Sequence, residues 1–352
     1  MPYDVAIVGG GPAGSTCAAV CAEGGLRTLV IERGVFPREK VCGDCVNPAC
    51  WPILERLQLG ERVLALPHSR IEDVEFVGTN GRSLLHRISA SPRGEIAIKR
   101  SAFDLLLLTR ARELGADVRE GVSVTALEKN WAIQTNGETF HARTLVAADG
   151  RNSTAARLLG LLPPAAKDRI GVQTHFAAPR DFGDRIVMRF LPRGYCGLAS
   201  VGDAQLNLCL VSKARHIGEL KSWATREFSL PPHQEWRTIT PLARAAVSPR
   251  HANLLLVGDA ARVVEPFTGE GIYYALASGE LAARHIISGN LDGYSKAHAE
   301  LYRGRLWINQ LAKQAVLHPR IATFALRFPP ALRWLTAKVV SAAGAPTTSA
   351  QK

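Results

Sequence analysis

Hydrophobic positions in this chain form two kinds of run. Short continuous runs rich in β-branched and aliphatic residues recur at Tyr3–Val8, Arg27–Ile31, Arg143–Ala148 and Asn253–Val257. Each ends at a glycine or an acid, as strands buried on both faces of a parallel sheet do. An alanine-rich helical segment, Ser15–Glu23, stopped by Gly24-Gly25, separates the first two, and a longer helical run spans Tyr273–Ile287. Elsewhere the pattern changes. Ile71–Val77 and Glu95–Ile98 alternate, and the stretch from Ile170 to Val211 breaks into short β-rich runs split by Pro and Gly. These segments predict a second, mostly antiparallel sheet. Because the parallel-type segments lie within 3–50, 100–160 and 253–287, the α/β domain they build is discontinuous. No internal repeat is evident, and only Gly344–Lys352 reads as a frayed end.

The first strand runs straight into Gly9-Gly10-Gly11-Pro12-Ala13-Gly14, which contains Gly-x-Gly-x-x-Gly, and the second closes on Glu32 with Arg33 after it. Strand, glycine turn, helix, strand and acid in this register form a dinucleotide-binding unit. Gly9 permits the tight turn, Gly11 lets the backbone approach a pyrophosphate, and Gly14 lets helix and strand pack closely. The helix N-terminus, beginning at Pro12 and Ala13, offers free N–H groups and partial positive charge to phosphates. Glu32 is placed to accept hydrogen bonds from ribose hydroxyls. This unit alone does not separate NAD from FAD.

Two further segments do. Arg143–Ala148 enters the turn Asp149-Gly150, and Asn253–Val257 enters Gly258-Asp259, followed by Pro266-Phe267-Thr268-Gly269-Glu270-Gly271-Ile272. In this order, the three segments resemble the flavoprotein monooxygenase and reductase superfamily typified by para-hydroxybenzoate hydroxylase. Phe36-Pro37-Arg38-Glu39-Lys40-Val41-Cys42-Gly43-Asp44 is similar to the FPRxKxCG segment of the geranylgeranyl reductase family. Pro266 to Ala275 is similar to that family's PLTGxGIYYA segment. The resemblance covers roughly residues 3–290.

It implies a Rossmann-type FAD-binding domain from 1–70, 96–165 and 245–290, and an inserted antiparallel β-sheet substrate domain from 71–95 and 166–244. Residues 291–352 would be a basic, helical C-terminal cap. By the same resemblance Asp259 would hydrogen-bond the ribityl chain, and Asp149 and Gly269 would lie in the cofactor site. The helix beginning at Gly271 and Ile272 would aim its N-terminus at the pyrophosphate or at the flavin N1–C2=O edge, where reduced flavin carries negative charge. Arg100, ahead of Phe103-Asp104, would also contact FAD.

The chain departs from these families in two places. The superfamily's DGxxSxxR keeps Ser153 but has Ala156 in the last position, with Arg157 one place later. The YxWxFP segment of geranylgeranyl reductases corresponds to Tyr195-Cys196-Gly197-Leu198-Ala199. The leading expectation is hydride transfer from reduced FAD to a carbon–carbon double bond of a lipophilic, isoprenoid-like substrate, with Cys42 as a candidate catalytic thiol. An NAD(P)H- and oxygen-dependent aromatic hydroxylase is the alternative, and a non-catalytic electron-transfer or binding flavoprotein is a third reading. No WxWxIP-like segment speaks for a halogenase. With no second glycine-rich unit, NAD(P)H would have to reach the flavin through the substrate cleft. An external reductase or ferredoxin is the other source of electrons.

Composition narrows the classes further. The 352 residues are 47% hydrophobic and 21% charged, ordinary for a folded protein. No apolar run is long enough to span a membrane, no basic-then-apolar leader opens the chain, and seven cysteines cannot all pair, so a reduced cytoplasmic setting is expected. Cys42, Cys45 and Cys50 lack a convincing fourth zinc ligand beyond His68, so no metal is expected. Neither a GxSxG elbow nor a Walker loop occurs. The net charge of +12 is concentrated at the end, where Lys296 to Lys352 holds nine basic residues against Glu300 alone. Ile321, Phe324, Leu326, Phe328, Leu332, Trp334, Leu335, Val339 and Val340 interleave with those charges. Two readings stand: a helical cap over the pocket mouth, or a peripheral contact with the anionic inner face of a membrane. No recognition motif for nucleic acid accompanies the charge.

Overall fold

In the computed structural model, described here for residues 1–88, 93–165, 169–327 and 330, the continuous apolar runs meet in an eight-stranded sheet. Tyr3–Val8 lies in its middle, parallel to Thr28–Glu32 on one side and to Thr139–Ala147 on the other. Ile7 faces Val30 and Val146 in that register, and Leu254–Leu256 joins beyond, with Leu255 beside Val146. Period-two alternation then assigns each side chain a face. Val5, Ile7, Val30, Val146 and Leu255 pack under the helices Pro12–Glu23, Arg100–Glu113 and Gly271–Ile287. Ala6, Val8, Leu29, Ile31 and Leu145 pack on the other side, against Ala155, Ala156 and the hairpin residues Val124 and Ile133. Both faces are covered, which is why these strands read as unbroken apolar runs.

Two of the helices approach each other unusually closely. A Cβ on Gly279 would stand 2.2 Å from the Ala13 carbonyl oxygen, and one on Gly24 would stand 2.7 Å from Ile287 Cδ1. Pro12–Glu23 and Gly271–Ile287 therefore run side by side in the same direction, their C-terminal ends level and the start of Gly271–Ile287 reaching about two turns past Ala13.

The second sheet has seven strands, in the order Arg237–Ile239, Ile170–Ala177, Gln205–Ser212, Gly194–Ser200, Arg185–Leu191, Asp73–Val77 and Ser83–Arg87. All neighbours are antiparallel except Arg185–Leu191 with Asp73–Val77. Leu220 and Ala224 of the helix Ile217–Glu227 cover one face over Val172, Leu208 and Leu210. The opposite face looks toward the first sheet.

Glu95–Ile98 departs from the expectation that placed it in this second sheet. It is the centre of a separate three-stranded sheet, between Cys45–Val46 and His68–Ile71, and all four of its residues are buried. Ile96 and Ile98 enter the helix-side core while Ala97 packs with Ile71, so no polar face survives to alternate. Ile71–Val77 likewise divides: His68–Ile71 joins the small sheet and Asp73–Val77 the large one. At the C-terminal end the helices Leu306–Leu317 and Pro319–Ala325 follow, and Val316 packs on Tyr195, Val211 and Leu242 of the sheet face. Phe328, Leu332, Trp334, Leu335, Val339, Val340 and the frayed end expected over Gly344–Lys352 lie outside the described residues, or have no described side chain.

Candidate cofactor and substrate site

A cavity of about 1030 Å³ lies between the two large sheets. That is at the upper end of the usual range for small-molecule and cofactor sites. One end is built by the glycine loop. Gly9 has φ +106°, and a Cβ there would stand 2.6 Å from the Ala148 carbonyl oxygen; at Gly14 it would stand 1.9 Å from the Gly9 oxygen. Those two glycines are required by the protein's own packing. Gly11 is different, because its Cβ would meet only Arg38 Nη2 at 3.6 Å. Its missing side chain leaves open room on the cavity wall beside the first turn of Pro12–Glu23, which has neither a side-chain cap nor an acid. Glu32 supports the loop from behind, accepting the Gly10 N–H at 2.7 Å and the Gly34 N–H at 2.8 Å.

Cations gather beside this loop. Arg100 is clamped by Asp104 through two hydrogen bonds of 2.6 and 2.7 Å, so the Phe103-Asp104 pair supplies the arginine's partner. Arg38 reaches toward both Glu32 and Asp104 at 3.7 and 3.6 Å. Arg151 donates to Asp259 Oδ2 at 2.8 Å. Burial pushes the Lys40 ammonium down to about 8, and neighbouring Arg100 and Arg151 act in the same sense. Lys40, Arg38 and Arg151 were not singled out as site residues from the sequence. The signal was present: Arg38 and Lys40 alternate within the FPRxKxCG-like segment, and Arg151 follows the Asp149-Gly150 turn.

Of the residues expected to hold a cofactor, Gly9, Gly11, Pro12, Ala13, Glu32, Arg33 and Arg100 line this cavity, as do Asp149, Asp259, Gly269, Gly271 and Ile272. Gly14 stands behind them in the helix–strand contact. Asp149 has a second duty, because its Oδ2 accepts the Thr154 and Ala155 N–H groups at 2.6 and 3.1 Å and so caps a short helix. Cys42 is on the wall as well, and its position is tightly fixed. Its carbonyl oxygen accepts from Gln173, Asn207 and the Cys209 thiol, at 2.8, 3.0 and 3.2 Å. Burial pushes the Cys42 thiol up, which favours its neutral form. Beneath it Asp44 is fully buried, with His175 Nε2 at 2.9 Å from Oδ2. Among the described residues no group of three or more His, Cys, Asp or Glu side chains is placed to hold a metal.

The loop between Val264 and Gly271 is held by two buried ion pairs absent from the sequence reading. Arg169 donates to Glu265 at 3.0 and 2.9 Å, and Arg305 donates from Nε to Glu270 at 3.1 Å. Between them Phe267 projects into an aromatic cluster, 5.8 Å from Phe190, 6.3 Å from Phe76 and 5.4 Å from Tyr195. Leu311, Ala315, Ile321, Ala322 and Leu326 of the C-terminal segment add an apolar stretch to the lining of the same cavity.

The glycine cradle with uncapped N–H groups, the flanking cations and the room left at Gly11 fit a dinucleotide diphosphate. The family model described as "FAD binding domain" matches residues 2–184. This chain belongs to that family. Proteins of several names are similar to it along most of its length. It is 28% identical over 330 residues to a menaquinone reductase of Mycolicibacterium smegmatis, covering 84% of this chain and 78% of that one. It is also 28% identical over 309 residues to a digeranylgeranylglycerophospholipid reductase of Thermoplasma acidophilum, covering 80% and 77%. Conditioned medium factor receptor 1 of Dictyostelium discoideum is 28% identical over 374 residues, covering 93% and 71%. Among solved structures, the flavin-dependent brominase Bmp2 superposes with TM-score 0.79 at 20% identity, covering 97% and 94%. A geranylgeranyl bacteriochlorophyll reductase-like protein from Thermoplasma acidophilum gives 0.71 at 24%, covering 96% and 91%. Both likenesses show the fold alone. The chain is thus a FAD-dependent oxidoreductase with the expected Rossmann-type α/β fold, a second, mostly antiparallel sheet and a helical C-terminal segment.

Proposed function

We propose that this FAD-dependent oxidoreductase reduces carbon–carbon double bonds in an isoprenoid chain, either of a lipid or of a polyprenyl quinone. The observation that carries the reading is the apolar lining that the C-terminal helices add to the cavity beside the Phe267 loop, through Leu311, Ala315, Ile321, Ala322 and Leu326. The names of the menaquinone and digeranylgeranylglycerophospholipid reductases support it. Bound FAD, once reduced, supplies a hydride.

The chain's own residues hold and orient. The Gly9–Gly14 loop and the first turn of Pro12–Glu23 would take the diphosphate, with Arg38, Lys40 and Arg100 balancing its charge. Glu32 and Arg33 would face the adenosine end, and Asp259, steadied by Arg151, the ribityl chain. The N-terminus of Gly271–Ile287 would favour negative charge on the flavin pyrimidine edge. Cys42 and the aromatic cluster would exclude water and hold the alkene in place. NAD(P)H entering from the substrate side, or an external electron donor, would reduce the flavin.

Leu306, Trp307, Leu311, Ile321 and Phe324 are exposed on the C-terminal helices among Arg303, Arg320 and Arg327, and Leu311 and Ile321 also line the cavity. This face would meet an anionic membrane surface and admit the lipid from it. No helix of the described residues is long and apolar enough to cross a membrane.

A second reading, aromatic hydroxylation, is favoured by the Phe76, Phe190, Tyr195 and Phe267 cluster, which suits a flat ring. The deciding experiment mixes the anaerobically reduced holoprotein with a menaquinone or a polyprenyl alcohol and weighs the product. A gain of two hydrogens in the isoprenoid chain without oxygen, retained after any quinol is reoxidised to the quinone, supports the reductase. Product formed only in air, carrying an oxygen atom from O2, replaces it with the hydroxylase.

A further inference from the structure

Glu95 begins the middle strand of the three-stranded sheet, opposite Ile71. It is only 8% exposed, and it lines the same cavity as Cys42, Asn47 and Gly271. Other buried acids of this site have an arginine: Asp104 has Arg100, Glu265 has Arg169 and Glu270 has Arg305. Among the described residues Glu95 has neither an ion-pair nor a hydrogen-bond partner.

The groups around it do not supply a charge to balance. Half-buried Cys45 on the neighbouring strand and buried Cys50 beyond it are thiols held neutral by desolvation and by Glu95. On the other neighbouring strand Arg70 is exposed and His68 hydrogen-bonds the Leu66 carbonyl at 2.8 Å. Arg93, two residues away, pairs with Glu55 and Glu61. With no cation near, burial alone pushes the Glu95 carboxyl up to about 7. An acid that still holds its proton in about half of the molecules at neutral pH, and faces a reaction cavity, has what a general acid needs.

We propose that Glu95 is the proton donor for the reduction carried out in this cavity, an assignment that rests on the reductase reading. Saturating a double bond adds two hydrogens. The π bond breaks, one carbon takes the hydride supplied by the reduced flavin, and the other takes the proton of the Glu95 carboxyl. The carboxylate left behind regains a proton from solvent before the next turnover.

The test uses the full FAD-loaded chain and Glu95→Gln, which keeps the side chain's size but has no acidic proton. One readout needs no substrate. Infrared spectra taken from about pH 5 to about pH 9 should show a protonated-carboxyl C=O band that disappears near pH 7 in the wild type and is missing from the variant. The second is the single-turnover rate of the chemically reduced enzyme with a menaquinone or geranylgeraniol. Glu95→Gln should be about 10²- to 10⁴-fold slower at unchanged FAD affinity, and its rate should be flat in pH where the wild-type rate falls above about 7. A variant with the wild-type rate and pH profile overturns Glu95 as donor and leaves the reductase reading intact. A band titrating below about pH 5 overturns it as well. Wild-type protein that reduces neither probe brings down the reductase reading and the donor role together, while the infrared band still reports the carboxyl. Should Glu95→Gln fail to retain FAD, Glu95→Asp takes its place, with partial rate and a surviving titrating band expected.

Discussion

Lys40 lies with Arg38, Arg100 and Arg151 on one wall, and at about pH 8 it is half protonated. A diphosphate arriving beside it raises its proton affinity, so FAD binding at that pH should take up a proton. Calorimetry of FAD binding in two buffers of different ionisation enthalpy measures this uptake, and Lys40→Met should abolish it. Glu95 gives a second pH effect, with the opposite chemistry. Its folded value of about 7 stands above the ordinary 4.5, so the stability it favours is fully present below about pH 4.5 and is lost as pH rises through 7. At ~1.4 kcal/mol per unit, the loss is about 3 kcal/mol. Urea unfolding at about pH 5 and pH 8 should therefore show Glu95→Gln gaining on the wild type at the higher pH. Equal differences at both pH values would mean that Glu95 ionises freely. The sequence displayed Gly9, Gly11, Gly14 and Glu32 because a motif fixes their relative positions along the chain. It did not display Glu95, whose burial depends on Cys45–Val46 and His68–Ile71 closing over it from distant segments. Nor did it display that Arg151 and Asp259, far apart in the chain, are partners.

Among elements, the contact between Pro12–Glu23 and Gly271–Ile287 is the tightest constraint on the cofactor end. Gly279→Ala sets a methyl 2.2 Å from the Ala13 carbonyl oxygen and must push the helices apart. We expect a loss of about 1–3 kcal/mol in denaturant unfolding, with weaker FAD binding. Gly11→Trp provides the contrast. Its Cβ would meet only the flexible Arg38 side chain and its ring would enter the cavity, so the chain should fold with near-normal stability and fail to retain FAD. A yellow, FAD-loaded Gly11→Trp protein would remove that loop from the diphosphate site. The strands of the first sheet were legible because burial on both faces leaves a continuous apolar run. Glu95–Ile98 was not, because a four-residue segment with one acid at its head has the same pattern whether half-buried or enclosed.

Across the whole molecule, the glycine loop, the Asp259 turn and the C-terminal helices converge on one cavity although the chain brings them together from its two ends. The exposed apolar face with its arginines makes the membrane contact testable. Full-length protein should co-sediment with anionic vesicles at low salt and less at high salt, and the double change Ile321→Asp with Phe324→Asp should reduce binding by about tenfold or more without loss of FAD. Absence of vesicle binding by the wild type would leave these helices as a cap alone. The sequence made their charge and apolar character plain. Their placement over Tyr195 and Phe267 required knowing the sheet they pack on.

The sheet topology also bears on biosynthesis. Leu254–Leu256 pairs beside Thr139–Ala147, and the Gly258-Asp259 turn that follows it packs against the glycine loop at Ala13, with Gly271 further along the same cavity. A growing polypeptide on the ribosome can fold its opening strand–helix–strand unit early, yet it has only half a nucleotide cradle until the segment beyond residue 271 has emerged. Captured flavin would then act as a clasp between the opening segment and one made much later, and arrested chains ending before Gly258 should leave the ribosome colourless.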